Sequence, residues 1–91
     1  MFKVTGKIFE IKPIQVVSDK FSKRELWLEL PDDKFPQTLC FEFANKLADK
    51  LNEFRKNDKV EITFGLRGRI FKERCYNALS GINIEDGINI L

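Results

Sequence analysis

Between residues 67 and 76, four cations alternate with two aromatic rings: Arg67, Arg69, Lys72 and Arg74 are interleaved with Phe71 and Tyr76. Cations neutralise phosphates and exposed rings receive unstacked bases, and a single-stranded nucleic acid needs both from one surface. The segment offers a binding chemistry rather than a bond-making one. The same residues would also suit a solvated hairpin whose rings pack on the rim of a domain. Further candidates lie upstream. Lys7 joins Arg67 and Arg69 as a phosphate contact, while Phe9 and Phe43 are candidate stacking platforms that a shift of register would turn into core. Lys20, Lys23 and Arg24 form a charged run in a loop, suited to steering phosphate or simply to solvation. Trp27 stands between Glu25 and Glu29. It suits a stacking platform or packing against a partner subunit, and its acidic neighbours, which repel phosphate, weigh against the first.

Bond-making chemistry has little support. The chain has no histidine and no Ser or Cys beside an evident base, so nucleophilic triads are out. Pro31-Asp32-Asp33 reads as a turn by composition. Gly65 and Gly68 lack the lysine and following helix of a phosphate loop. Cys40 and Cys75 are too few and too far apart for a metal site without histidine, and two reduced, half-buried thiols are expected. No catalytic residue, metal or cofactor is expected.

Ninety-one residues suit one domain. The net charge of +2 hides an asymmetry: residues 1–24 carry six Lys/Arg against two acids, 25–58 carry eight acids against five bases, and 59–74 carry five bases against two acids. The first and penultimate parts of the chain must meet in space to form a positive patch. No apolar run has the length of a membrane span, and Met1-Phe2-Lys3-Val4 lacks a signal-peptide core, so the expectation is a soluble protein of the cytoplasm of a bacterial, or phage-infected bacterial, cell.

The elements that must position the candidates are mostly strands. Lys3–Ile11 alternates, with Val4, Gly6 and Ile8 on one face and Phe9 on the other, and Gly6 suggests a bulge or a sharp coil. Pro13–Ser22 reads as a loop. Glu25–Leu30 alternates with Leu26, Leu28 and Leu30 inward, and Thr38–Phe43 with Leu39, Phe41 and Phe43 on its apolar parity. Asn45 is placed to cap a helix in which Leu47, Leu51 and Phe54 recur at i, i+4 and i+7. Val60–Leu66 is a fourth strand, extended into a hairpin arm that turns near Lys72-Glu73. Cys75–Ile84 is the fifth. Three strands, a helix and a two-strand hairpin is the order of an OB-fold, and an SH3-like barrel would not hold a helix at this point. The reading is an all-β, five-stranded OB-fold barrel over residues 1–84, with one short helix between its third and fourth strands and a tail over 85–91.

Val60 through Phe71, with Leu66-Arg67-Gly68-Arg69 ahead of an aromatic, resembles the fourth strand of bacterial single-stranded-DNA-binding proteins. Phe43-Ala44-Asn45-Lys46-Leu47-Ala48-Asp49 resembles the passage from strand three into the helix of the same family. A closer resemblance is to a small OB-fold family of bacteria and their phages, described mainly as a domain of unknown function. It is carried by Val4-Thr5-Gly6-Lys7-Ile8, Phe35-Pro36, Cys40-Phe41 and the hairpin from Lys56 to Ile84. Ala44 stands where that family usually has Trp, and Cys75 and Ile82 where it often has aromatics. The resemblance implies sequence-tolerant binding of single-stranded DNA, in replication or recombination. Nine Phe residues in a small barrel should leave apolar outer surface, so a homodimer or higher oligomer is expected. RNA would meet the same groups, because stacking and phosphate contacts need no 2′-hydroxyl. The alternative is an OB-fold module that docks a protein through its outer face, Trp27 included, without binding nucleic acid.

Overall fold

Leu26, Leu28 and Leu30 alternate with Glu25, Trp27 and Glu29, a period of two that puts one side of a strand out of water and leaves the other in it. The same parity recurs in four more segments, and in the computed structural model, which describes residues 1–31 and 34–87, all five close into one barrel. Strand β1 is Phe2–Ile11, β2 is Gln15–Ser18, β3 is Phe21–Leu30, β4 is Gln37–Ala44, β5 is Lys59–Phe71 and β6 is Arg74–Asp86. β1 pairs antiparallel with β5 through Phe2–Lys7 and with β3 through Lys7–Ile11. β3 pairs with β4, β5 pairs with β6, and a short parallel contact of Phe41 with Leu79 and Glu42 with Ser80 closes the ring. This is the OB-fold.

Inward parity supplies the core. Ile8, Leu26, Leu28, Phe41, Phe43, Leu51, Val60, Ile62 and Ile84 are fully buried in one cluster, each contributing roughly 1.5–3 kcal/mol of transfer free energy. Gly6 lies where β1 passes from β5 to β3. A Cβ there would stand 2.6 Å from the Glu29 carbonyl oxygen and 2.9 Å from the Leu28 side chain, so the close approach of the two strands requires glycine. The bulge expected near Gly6 falls further along, between Ile8 and Glu10, and Phe9 keeps the outward face that its parity assigns.

The helix lies between β4 and β5, as its apolar spacing predicts, and spans α1 (Lys46–Lys50) followed by one 3₁₀ turn (Leu51–Glu53). Ala48 and Leu51 are buried, and Leu47 and Phe54 pack against the core. Asn45 differs from expectation. Its side chain makes no cap hydrogen bond to the helix. Its Oδ1 instead accepts from the Ser22 backbone N–H at 3.0 Å, and its own N–H donates to the Ser22 carbonyl at 2.9 Å. The residue fastens the helix entrance to the start of β3.

The stretch read as a loop, Pro13–Ser22, contains β2, which pairs back onto β3 at Gln15–Lys23 and Val16–Ser22. Its sequence lacks alternation because both its faces are exposed. β6 continues to Asp86, two residues into the segment read as a tail. Asp32 and Asp33, read from composition as part of a turn, and the last four residues lie outside the described residues.

Candidate nucleic-acid interface

The second halves of β5 and β6 leave the barrel as a two-stranded arm in which every residue from Leu66 to Asn77 is exposed. Arg67 pairs with Ala78, Arg69 with Tyr76 and Phe71 with Arg74. Alternation puts these six side chains on one face of the arm. The Arg69 guanidinium lies 5.9 Å from the ring centroids of both Phe71 and Tyr76, and the Lys72 ammonium 5.4 Å from Phe71. Each cation holds a ring by its quadrupole while its own donors still reach water. No ion pair to Arg67, Arg69, Lys72 or Arg74 forms among the described residues, and Phe71 and Tyr76 are 53% and 45% exposed. The opposite face is apolar, with Leu66 and Ile70 63% and 78% exposed. The arm turns at Lys72-Glu73, where it was expected, with φ of 49° and 64°. This is the two-residue loop with both centres left-handed, a geometry that favours Asn-Gly and here is carried by two ordinary side chains.

Phe9 and Trp27 come together on the barrel wall. Their rings are nearly parallel, 11° apart with centroids at 6.5 Å. Lys12 Nζ lies 4.3 Å from the Trp27 ring and Lys56 Nζ 5.4 Å from the Phe9 ring. The Trp27 indole N–H donates to the Glu25 carboxylate at 3.1 Å, and Lys12 is also paired with Glu10 at 2.6 Å. Sequence reasoning found the rings but missed Lys12 and Lys56, which meet them only through long-range folding.

These two aromatic groups share one outer surface. Trp27 pairs with Cys40 on β4, Glu42 with Ser80 on β6, and Ala78 with Arg67 on β5. Parity therefore places Trp27, Cys40, Ala78 and Arg67 on the same side of four successive strands. Glu25 and Glu42 face each other across β3 and β4 on that side. They act on the thiol between them: Cys40 is pushed up to about 11, first by partial burial and then by the charges and hydrogen bonding of Glu25 and the charge of Glu42, with the Trp27 hydrogen bond opposing. Cys40 and Cys75 are both free thiols, and both are exposed rather than half-buried.

Lys23 projects toward the arm. With Glu42, Arg67, Gly68, Arg69, Tyr76, Asn77 and Ala78 it lines a cleft of about 490 Å³ between the arm and the barrel wall. Lys7 stands elsewhere, 3.9 Å from the Glu29 carboxylate, in a hollow that no arm residue lines.

Two expected site residues are turned to other uses. Phe43 is fully buried, so no base can reach its ring. It shares the inward parity of Phe41, and a Cβ at Gly81 would stand 2.2 Å from Phe43 Cε1, so the ring packs directly against the bare backbone of β6. Arg24 points inward as well. Its Nε donates to the Lys12 carbonyl at 2.6 Å, and its Nη1 to Asn52 Oδ1 at 2.8 Å and to the Ala48 carbonyl at 3.5 Å. It clamps β1, β3 and the helix together rather than facing a phosphate.

The fold is shared with solved structures at low sequence identity. The SSB domain of a Synechococcus sp. protein superposes with a TM-score of 0.72 at 19% identity, covering 91% of this chain and 90% of that one. The second single-stranded DNA binding protein (SSBb) of Mycobacterium smegmatis gives a TM-score of 0.73 at 14% identity, over 96% of this chain and 84% of that one. No curated protein sequence matches the chain. The chain belongs to the family described as Domain of unknown function (DUF3127), whose model matches residues 3–85.

Proposed function

We propose that this protein binds single-stranded DNA with little regard to sequence, in replication or recombination, through the basic aromatic face of the arm. The observation that carries this reading is the arrangement of Arg67, Arg69, Lys72 and Arg74 around the exposed rings of Phe71 and Tyr76, with none of the four in an ion pair among the described residues. Phosphates follow the cations, and bases leave their stack to lie on the rings, each stacked base worth roughly 1–3 kcal/mol. Lys23 in the cleft and the Phe9–Trp27 pair extend the path along the same outer surface. Two structural neighbours are named for single-stranded DNA binding or as SSB domains, which supports the same reading. The test is a fluorescence anisotropy titration with labelled oligo-dT and with a duplex of equal length. Salt-dependent binding that prefers the single strand is expected. Equal affinity for duplex would reduce the interaction to generic electrostatics.

A second reading is favoured by the back of the arm. Leu66 and Ile70 form an apolar strip that none of the described residues covers, which suits a protein contact, including a second copy in a homodimer or higher oligomer. Sedimentation at tens of micromolar, on the order of ordinary moderate affinities, reads self-association directly, and a monomer alone would exclude the homo-oligomer and leave only a different protein as the occupant.

A further inference from the structure

The cleft between the arm and β4 has one lining group that a phosphate-and-stacking surface does not need. Lys23, Arg67 and Arg69 supply charge and Tyr76 supplies a ring, yet Glu42 opens into the same space. Its carboxylate forms no ion pair among the described residues, although three cations line the cleft with it. Across the strands it faces Glu25, a like charge, which is a destabilising arrangement. A carboxylate here repels the phosphate that its neighbours attract. It does make the complement of a base edge that carries N–H donors, and Tyr76, which lines the same cleft, can stack such a base.

Resting on the single-strand reading above, we infer that the cleft is a one-nucleotide subsite in which Tyr76 stacks a base, Lys23, Arg67 and Arg69 hold its phosphates, and Glu42 reads the base edge, favouring guanine. Guanine offers two adjacent donors, N1–H and the N2 amine, to the two oxygens of one carboxylate. Cytosine and adenine each offer a single amine donor. Thymine offers N3–H flanked on both sides by carbonyl oxygens, which a carboxylate repels. The order of preference is guanine first, cytosine and adenine next, and thymine last. The remaining nucleotides meet rings and cations, with Glu25 hydrogen-bonded to Trp27 and Glu10 paired with Lys12, so binding stays sequence-tolerant over the strand as a whole and biased at this one position.

The experiment compares labelled oligo-dT, an alternating dT-dG strand and an alternating strand with deoxyinosine in place of dG, all of equal length, on the full chain and on Glu42→Ala. The wild type is expected to bind the dT-dG strand about tenfold more tightly than oligo-dT, one charge-assisted pair's worth of discrimination. The inosine strand, which lacks the N2 amine, should fall between them. Glu42→Ala should bind oligo-dT several-fold more tightly, because a repulsive charge has gone, and should lose the preference for dG. A melting temperature no lower than the wild type's is expected, since the substitution faces outward and removes the repulsion with Glu25, and this keeps the comparison fair. Equal wild-type affinity for the three strands would overturn the inference while leaving single-strand binding intact. An Ala variant that strengthened all three by the same factor would also overturn it, making Glu42 a repulsive charge and nothing more. Failure of the wild type to bind any strand would remove both the subsite and the reading on which it rests.

Discussion

Arg67 and Arg69 lie two residues apart on the same face of the arm, yet they should respond differently to removal, because only Arg69 stands over rings. If all four arm cations contact phosphate, log affinity should fall with log salt at a slope of about −2.8, from about −0.7 per contact. Between 50 and 200 mM salt, affinity would then drop about fiftyfold. Arg67→Ala should flatten the slope by about 0.7 and leave the value extrapolated to 1 M salt unchanged, since its whole contribution is counterion release. Arg69→Ala should flatten it by the same amount and also lower that extrapolated value. Arg69 lies 5.9 Å from both Phe71 and Tyr76, and each exposed cation–π contact is worth about 0.5–1 kcal/mol, so losing both predisposes the rings less well for stacking. Phe71→Ala should lower the extrapolated value by about 1–3 kcal/mol and leave the slope alone. Anisotropy titrations of the three variants at four salt concentrations give both quantities for each. A slope change with Phe71→Ala, or an unchanged slope with Arg67→Ala, would refute the assignment of phosphates to the arginines and bases to the rings.

Arg24→Ala should lower stability by roughly 1–3 kcal/mol, the cost of breaking its hydrogen bonds to Lys12, Ala48 and Asn52; the salt slope of binding should not change, as denaturation and anisotropy together would read. Gly81→Ala should cost about 1–3 kcal/mol in urea unfolding, because the new Cβ would stand 2.6 Å or less from the Phe43 ring carbons. Replacing Lys72-Glu73 by Asn-Gly should stabilise the arm by about 1 kcal/mol, since both positions hold positive φ, of 49° and 64°; slower amide exchange along Arg67–Ala78 checks it. Cys40, at about 11 against an ordinary 9.0, should be about 0.1% thiolate at pH 8 where an ordinary thiol is about 9%, and should react with iodoacetamide about a hundredfold more slowly. Because the unfolded thiol ionises first, this group's contribution to stability is full below pH 9 and is lost as pH rises from 9 to 11.

The fold was legible because the barrel strands obey the simplest rule available to a sequence. Leu26, Leu28 and Leu30, then Leu39, Phe41 and Phe43, then Val60, Ile62 and Phe64 mark an inward face by parity alone, and the i, i+4, i+7 spacing of Leu47, Leu51 and Phe54 marks the helix between them. Where parity carries no signal, the reading failed. β2 has four exposed residues, so its pairing with β3 left no hydrophobic period to find. Asn45 looked like a helix cap because capping is a local rule, but its side chain was taken by Ser22, 23 residues away.

The candidate site divides along the same line between local and long-range contacts. The arm was legible because its geometry is sequential: once the chain turns at Lys72-Glu73, pairing of Arg69 with Tyr76 and Phe71 with Arg74 follows from the turn. Arg24 misled because its neighbours in sequence, Ser22 and Lys23, are polar. Its burial comes from Lys12, Ala48 and Asn52, which a linear reading cannot place beside it. Phe43 is the instructive case, since the information was present. The parity that made Leu39 and Phe41 core applied equally to Phe43, and no shift of register was needed to bury it. The β1 bulge falls between Ile8 and Glu10 and leaves Phe9 on its outward parity against Trp27, while β4 pairs with β3 in unbroken register through Phe43. An aromatic on a strand of this barrel therefore belongs to the face its parity assigns, inward for Phe41 and Phe43 and outward for Phe9 and Trp27, and further surface platforms arise where the strands outrun the barrel, as they do in the arm.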